Sequence, residues 1–210
     1  SKVFEQVGII YSAIIRLSKE QKHKEISSKL ALIRYDRQNS ATALLSSICD
    51  VRIIWGGDTT IEQIRINQLP PRSFDVTFAD RYSLCIINAD NYINEEKPEK
   101  IALGFYNDTY LFDQNACTAP HLVIWLGSKE NVEVSKKKFW DSLYTLVKSK
   151  YDVQPVIAVD KLTSFYNQSF HMSQVKKTVT PDNLIWRIEL QDLAKNIDEY
   201  RCSSGYFSEY

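Results

Sequence analysis

Apolar residues recur along this chain of 210 residues with two alternating periods. Val3, Val7, Ile10, Ile14 and Leu17 fall at helical spacing and predict a helix over 3–19. Lys19 to Ser28 is a charged connector. The run Leu30 to Tyr35 predicts a strand, and Asn39 or Ser40 is placed to cap a short helix ending at Ile48. Asp50 to Trp55 predicts a second strand, ended by Gly56-Gly57, after which Asp58 or Thr59 caps a helix through Ile66. Strand and helix in alternation imply an α/β fold with parallel sheets covered by helices.

Pro70-Pro71 interrupts the pattern. Short strands are expected at 74–78 and 84–88, with Ala79-Asp80-Arg81-Tyr82 between them. Lys97-Pro98 opens a helix whose apolar spacing continues to Phe112, and His121 to Leu126 reads as a buried strand. An amphipathic helix is expected over 136–148, with Phe139, Trp140, Leu143 and Leu146 inward. Val153 to Val159 reads as a strand or extended segment, Asn183 to Leu190 as a strand and Leu193 to Tyr200 as a helix. The closing run Gly205 to Tyr210 is an aromatic cluster that should be buried. A boundary near 78–82 separates a first α/β unit, 1–78, from a second, 79–210, and both termini read as cuts through a longer protein.

Charge and cysteine content narrow the classes of partner. Twenty-six basic residues balance 26 acidic ones, which gives no reason to expect nucleic acid or an anionic membrane. Four cysteines lack the spacing of a disulfide framework, and no Cys-x-x-Cys pair suggests a metal, so a reduced, cytoplasmic setting is expected. No apolar run approaches the ~20 residues of a membrane span, and no segment reads as a signal peptide.

The candidate chemistry lies at Asp113-Gln114-Asn115-Ala116-Cys117-Thr118-Ala119-Pro120-His121. A thiol on a polar connector between two apolar elements is held by rigid structure yet meets a substrate, as a covalent nucleophile must. A lone cysteine is more often a small buried hydrophobe. The polar neighbours Asp113, Gln114 and Asn115 set Cys117 apart from Cys49, Cys85 and Cys202. His121 is a candidate to lower the thiol's pKa, and equally a strand-end imidazole with no catalytic part. At the other candidate site, Gly56 and Gly57 permit close approach of the backbone and positive φ before a helix N-terminus, where a phosphate is favoured. The hydroxyls of Thr59 and Thr60 support that reading, and the charge of Asp58 opposes it.

The two sites, in this order, resemble the aldehyde dehydrogenase superfamily. Asp113-Gln114-Asn115-Ala116-Cys117 is similar to its Asn-Gln-Gly-Gln-Cys, Asn88-Ala89-Asp90 to its Asp-Ala-Asp, and Val51 to Gly57 to the strand and glycine of its cofactor turn. Asp50 to Asp58, the cysteine block and Gly205 to Tyr210 are more similar still to the LuxC-type acyl-CoA reductases. That resemblance spans nearly the whole chain. It implies the end of a nucleotide-binding domain over 1–78 and a catalytic domain over 79–210, with earlier cofactor strands and an oxyanion-hole Asn lying upstream of Ser1.

It also implies NADPH-dependent reduction of a long-chain acyl-CoA or acyl-protein thioester to a fatty aldehyde. An acyl chain would pass to Cys117, with Asn115 and His121 beside it and the Cys117 N–H as part of the oxyanion hole. Gly56, Gly57, Thr59 and Thr60 would hold the cofactor, and Lys2 would favour a 2′-phosphate. No metal is implied. A homo-oligomer and an acyl-protein synthetase partner are expected from the same resemblance. The Glu with which hydrolytic relatives activate water has no counterpart around Val76 to Asp80, although Asp80 is a possible substitute. The competing readings are a cofactor-independent cysteine acyltransferase or thioesterase, and a non-catalytic partner of such a synthetase.

Overall fold

Side-chain alternation along two short strands organises the first part of the chain. In the computed structural model, which describes residues 5–36, 40–172, 175–193 and 195–210, β1 (Val51–Trp55) pairs in parallel with β2 (Phe74–Phe78). Register runs from Val51↔Phe74 to Trp55↔Phe78. Ile54 of β1 is buried, as is Ile61 of the helix Asp58–Arg65. Arg52 fastens this layer together. Its guanidinium donates to both Asp75 carboxylate oxygens, at 2.6 and 3.0 Å, to Ser46 Oγ at 2.8 Å, and to the carbonyls of Ile64 and Asn67. The hydrogen bonds from Arg52 hold the Asp75 carboxyl below its ordinary range. The opposite face is apolar and exposed at Val51, Ile53, Trp55, Phe74 and Phe78, with the Trp55 and Phe78 rings stacked 4.8 Å apart.

This unit, Ser1–Ala79, also holds α1 (Glu5–Ser18), α2 (Lys24–Ser27) and α3 (Ala41–Ile48); the helix after β1 is α4 (Asp58–Arg65). The expected α1 forms, but none of its residues is buried. Two sequence expectations fail here. Leu30 to Tyr35 is not a strand: a ladder needs a partner, and among the described residues none lines up with it. The cap of α4 is Gly57, not Asp58 or Thr59, and no side chain closes it. Val3 and Asn39 lie outside the described residues.

The second unit, Asp80–Tyr210, is built on a five-stranded sheet in the order β3-β4-β7-β6-β5. The strands are β3 (Ser83–Asn88), β4 (Pro120–Leu126), β5 (Lys176–Val179), β6 (Trp186–Glu189) and β7 (Tyr206–Glu209). β3, β4, β7 and β6 are parallel, while β5 runs antiparallel at the edge. Neither β5 nor β7 was expected as a strand from the sequence; each has four residues. The expected burial of the terminal aromatics is met by Tyr206 and Phe207 in β7, whereas Tyr210 is exposed.

Period-two alternation sends β4 and β7 side chains to two separate cores. Val123, Trp125 and Phe207 join Ala102, Phe105, Phe139, Trp140 and Leu143 in one cluster, built with α6 (Pro98–Thr109) and α7 (Lys129–Lys150). The short helix α5 (Ala89–Tyr92) contributes Ala89 and Tyr92. Leu122, Trp186, Ile188 and Tyr206 form the other, with Phe165 of α8 (Pro155–His171) packed against it. Gln168 of α8 is buried and accepts the Tyr206 hydroxyl at 2.7 Å.

Three further expectations change. Val153 to Val159 leads into α8, because Pro155 suits a first helical turn. α7 begins well before Lys136: Ser128 caps it by accepting the Asn131 N–H, and Asp90 accepts the Ser128 N–H and the Asn131 amide. The helix expected over Leu193 to Tyr200 shrinks to a 3₁₀ turn at Ile197–Glu199.

Glu209 on β7 is the most deeply buried carboxylate described. The indole N–H groups of Trp125 and Trp140 both donate to its Oε2 at 3.0 Å, with Arg187 at 3.8 Å from Oε1 and Lys136 at 4.0 Å from Oε2. Burial raises its pKa despite those cations.

Candidate functional site: a cysteine on a left-handed turn

α6 runs through a 3₁₀ turn, Tyr110–Phe112, into two consecutive left-handed residues, Asp113 at φ 51° and Gln114 at φ 60°. Neither is glycine, so each conformation costs ~1–3 kcal/mol and needs outside support. The support is dense. The Gln114 N–H donates to Thr109 O at 2.7 Å and the Asn115 N–H to Phe112 O at 2.8 Å. The Asp113 carbonyl accepts the Ser204 N–H at 3.0 Å, and its carboxylate accepts the Tyr151 hydroxyl at 2.6 Å. The Gln114 side chain, 1% exposed, donates to the carbonyls of Pro120 and Tyr206 and accepts the N–H groups of Gly205 and Tyr206.

Gly205 makes that approach possible. Its φ is 89°, and a Cβ there would collide with the Leu184 carbonyl and the Tyr110 hydroxyl. Here a glycine is required both by conformation and by space.

Cys117 follows on the solvent side of this turn and is exposed. Its carbonyl accepts the Ser83 hydroxyl at 2.9 Å, while its own N–H has no acceptor among the described residues. Asn115 is exposed, and its amide turns back to the Asp113 carbonyl at 3.1 Å. The side chain thus braces the turn instead of reaching the sulfur.

His121 has a different character from the one its position suggested. Ser83 pairs with Pro120 and Leu84 with Leu122, so His121 is the extra residue of a bulge between β3 and β4. The ring is buried, stacks on Tyr82 at 5.7 Å, and leaves Nδ1 without a hydrogen-bond partner. Burial, reinforced by the Arg201 charge, pushes its pKa down to about 4. An imidazole neutral at pH 7 supplies no positive charge to a thiol, which removes the role of thiol-activating cation.

Beside the turn is a cavity of about 350 Å³, walled by Asp80, Arg81, Asn115, His121, Arg201 and Cys202. Arg201 donates to the Asp80 carboxylate and to the Arg81 carbonyl. The hydrogen bond from Arg201 holds the Asp80 carboxyl below its ordinary range. The turn, His121 and Asp80 therefore share one site, in which neither titratable group is a strong base at pH 7.

The other candidate site lies in the first unit. Neither Gly56 nor Gly57 has positive φ; among the described residues only Gly127 and Gly205 are glycines of that kind. Gly57 sits at φ −66° and ψ 164°, ordinary extended backbone. Its usefulness is spatial: a Cβ on Gly57 would meet nothing within 4 Å, whereas one on Gly56 would press on Thr60 Cγ2 at 3.0 Å. Thr60 packs against Gly56, and Thr59 is exposed. The N–H groups of Gly57, Asp58 and Thr59 have no acceptor among the described residues. These open donors and the missing Cβ fit a phosphate, and the Asp58 carboxylate opposes it. Lys2 lies outside the described residues. Among the described residues no group of three or more His, Cys, Asp or Glu could hold a metal, and no helix is long and apolar enough to cross a membrane.

Sequence reasoning missed Ser83 and the role of Gln114. The only signal for Gln114 was its place next to the thiol in a polar run, and for Ser83 there was none, because a bulge carries no mark in hydrophobic periodicity.

Comparison with solved structures places the fold among the aldehyde dehydrogenases. Proline utilization A from Corynebacterium freiburgense superposes with a TM-score of 0.55 at 14% identity, over 85% of this chain and 19% of its own. An aldehyde dehydrogenase from Bartonella henselae gives 0.52 at 11% identity, over 85% and 40%. An NAD-dependent benzaldehyde dehydrogenase from Corynebacterium glutamicum gives 0.50 at 9% identity, over 83% and 39%. The chain thus spans at most about two fifths of these three structures. No curated protein matches it. The family model described as acyl-CoA reductase (LuxC) matches residues 6–199, nearly the whole chain with both candidate sites inside it, and the chain belongs to that family.

Proposed function

We propose that this chain carries the nucleophile of a reductase that converts a long-chain acyl-CoA or acyl-protein thioester to a fatty aldehyde through an acyl-cysteine at Cys117. One observation carries the reading: an exposed thiol on a braced left-handed turn, whose own N–H is left open beside it. The thiolate adds to the thioester carbonyl, and the oxyanion that develops is within reach of the Cys117 N–H, a donor of the kind worth ~10²–10³ in rate. Collapse expels the donor thiolate and leaves the acyl group on Cys117. A reduced nicotinamide bound by the first unit would supply hydride to the acyl carbon. The same N–H then serves the second oxyanion, and collapse returns the Cys117 thiolate with release of the aldehyde.

In this reading 1–78 belongs to the nucleotide-binding domain and 79–210 to the catalytic domain. The open N–H groups at Gly57, Asp58 and Thr59 would meet a cofactor phosphate, with Gly56 and Thr60 shaping the turn. NADPH over NADH rests on Lys2 alone. His121, being neutral and buried, lines the site without activating the thiol. A homo-oligomer and an acyl-protein synthetase partner remain part of the proposal through family membership, and a cytoplasmic setting through the unpaired spacing of the cysteines.

The test is intact-mass analysis of the complete protein after incubation with hexadecanoyl-CoA, with and without NADPH. One acyl adduct should form on Cys117, vanish in Cys117→Ser, and be discharged as aldehyde only with the cofactor. Discharge as free acid without cofactor would support the thioesterase alternative instead.

A further inference from the structure

We propose that Ser83 and Gln114 form a two-point clamp on the Cys117 turn and act as positioning residues for its N–H, an inference that rests on the acyl-transfer reading above. Gln114 stands three residues before the nucleophile and is almost wholly buried. All four of its amide hydrogen bonds go to backbone: Pro120 O at 2.9 Å, Tyr206 O at 3.0 Å, Gly205 N at 2.9 Å and Tyr206 N at 3.1 Å. No other side chain type of that length both donates and accepts in this way. The amide therefore ties the left-handed pair at once to the start of β4 and the start of β7.

Ser83 acts on the other side of the thiol. The bulge at His121 shifts register between Ser83 and Leu84, and the Ser83 hydroxyl reaches the Cys117 carbonyl at 2.9 Å. Bulges commonly re-aim one side chain out of a ladder. With the turn fixed before Cys117 and its carbonyl fixed after it, the backbone of Cys117 has little freedom, and the N–H between those anchors stays unpaired. An oxyanion donor must sit ~2.7–3.1 Å from where the charge will develop, so fixing this peptide is worth more than fixing the sulfur.

That distinction supplies the test. Acylation by hexadecanoyl-CoA needs both the thiol and the oxyanion donor. Alkylation of the same thiol by iodoacetamide needs only an accessible thiolate. Both rates are measured at Cys117 by peptide mass spectrometry in the complete protein. Ser83→Ala should slow acylation about tenfold, part of the ~10²–10³ for losing a donor outright. It should leave alkylation within about twofold, and Ser83→Thr should restore acylation. Gln114→Met should slow acylation further; if it fails to fold, Ser83→Ala with its Thr rescue decides the matter. Acylation and alkylation falling together, or neither changing, would overturn the clamp while leaving the acyl-cysteine intact. Acylation that persists in Cys117→Ser would instead overturn the reading on which the clamp rests.

Discussion

His121 shows how far a side chain's role depends on surroundings that its sequence position does not reveal. Four residues after a candidate nucleophile, an imidazole invites the role of base or cation. It is the bulged residue, its ring is buried against Tyr82, and burial takes its pKa to about 4. The depressed value means that the unfolded state binds the proton more tightly. Stability is therefore complete above the unfolded pKa near 6.5 and is lost as pH falls toward 4. Between pH 7 and pH 5 this one group should remove about 2 kcal/mol from the second unit. Urea titrations at the two pH values should show that loss in the wild type and a smaller one in His121→Gln. An equal loss in both proteins would mean that other groups dominate. Cys117 was legible as the candidate nucleophile because its polar neighbours are written in the sequence, and the structure leaves it exposed. Ser83 was not, since its reach to the Cys117 carbonyl follows from a register shift.

Among the elements, β7 concentrates the most demands in four residues. Phe207 fills one core and Tyr206 the other; Glu209 meets two indoles, and Gly205, just before the strand, lets the Gln114 amide approach. Gly205→Ala should destabilise the second unit by more than about 2 kcal/mol, because its φ and its contacts both reject a Cβ. Thermal melting that shifts by less than a few degrees would contradict this. Burial raises the pKa of Glu209: its charge is disfavoured in the fold, so its penalty grows as pH rises from the unfolded toward the folded-state pKa. Glu209→Gln keeps an acceptor for both indoles and should lie within about 1 kcal/mol of wild type at pH 7, comparing better there than at pH 4. Glu209→Leu leaves two buried N–H groups unpaired and should cost about 2–4 kcal/mol. Long amphipathic elements such as α6 and α7 were readable from spacing. The misread ones carry strand-like composition without a ladder: the Val153 run read as strand or extended segment although Pro155 opens a helix there, and Leu30 to Tyr35 had strand composition but no partner among the described residues.

For the molecule as a whole, the proposed acyl-cysteine raises the question of how such a thioester would avoid water. The groups lining the cavity beside the turn answer in part. Asp80 is committed to Arg201, whose hydrogen bond holds its carboxyl below the ordinary range, and burial makes His121 a weak base. General-base help contributes ~10²–10⁴ to such steps, so without it the thioester should persist. Decay of a radiolabelled acyl-Cys117 in the complete protein without NADPH should take at least ~10² times longer than discharge with it. Asp80→Asn should not lengthen that decay; a marked slowing would identify Asp80 as a hydrolytic base after all.

The position of β7 has a consequence for how the protein is made. It follows β6 in sequence, yet it lies between β4 and β6, and the groups that seat Gln114 sit at its leading edge. On the ribosome, a chain extended through Cys117 possesses its thiol long before it possesses the geometry around that thiol. The central gap in the sheet closes only when residues 206–209 have left the exit tunnel, so β4 and β6 wait unpaired on those sides. A nascent chain stalled before Gly205 should therefore carry a cysteine that alkylates readily but cannot be acylated, and competence should appear abruptly once residues 206–209 emerge.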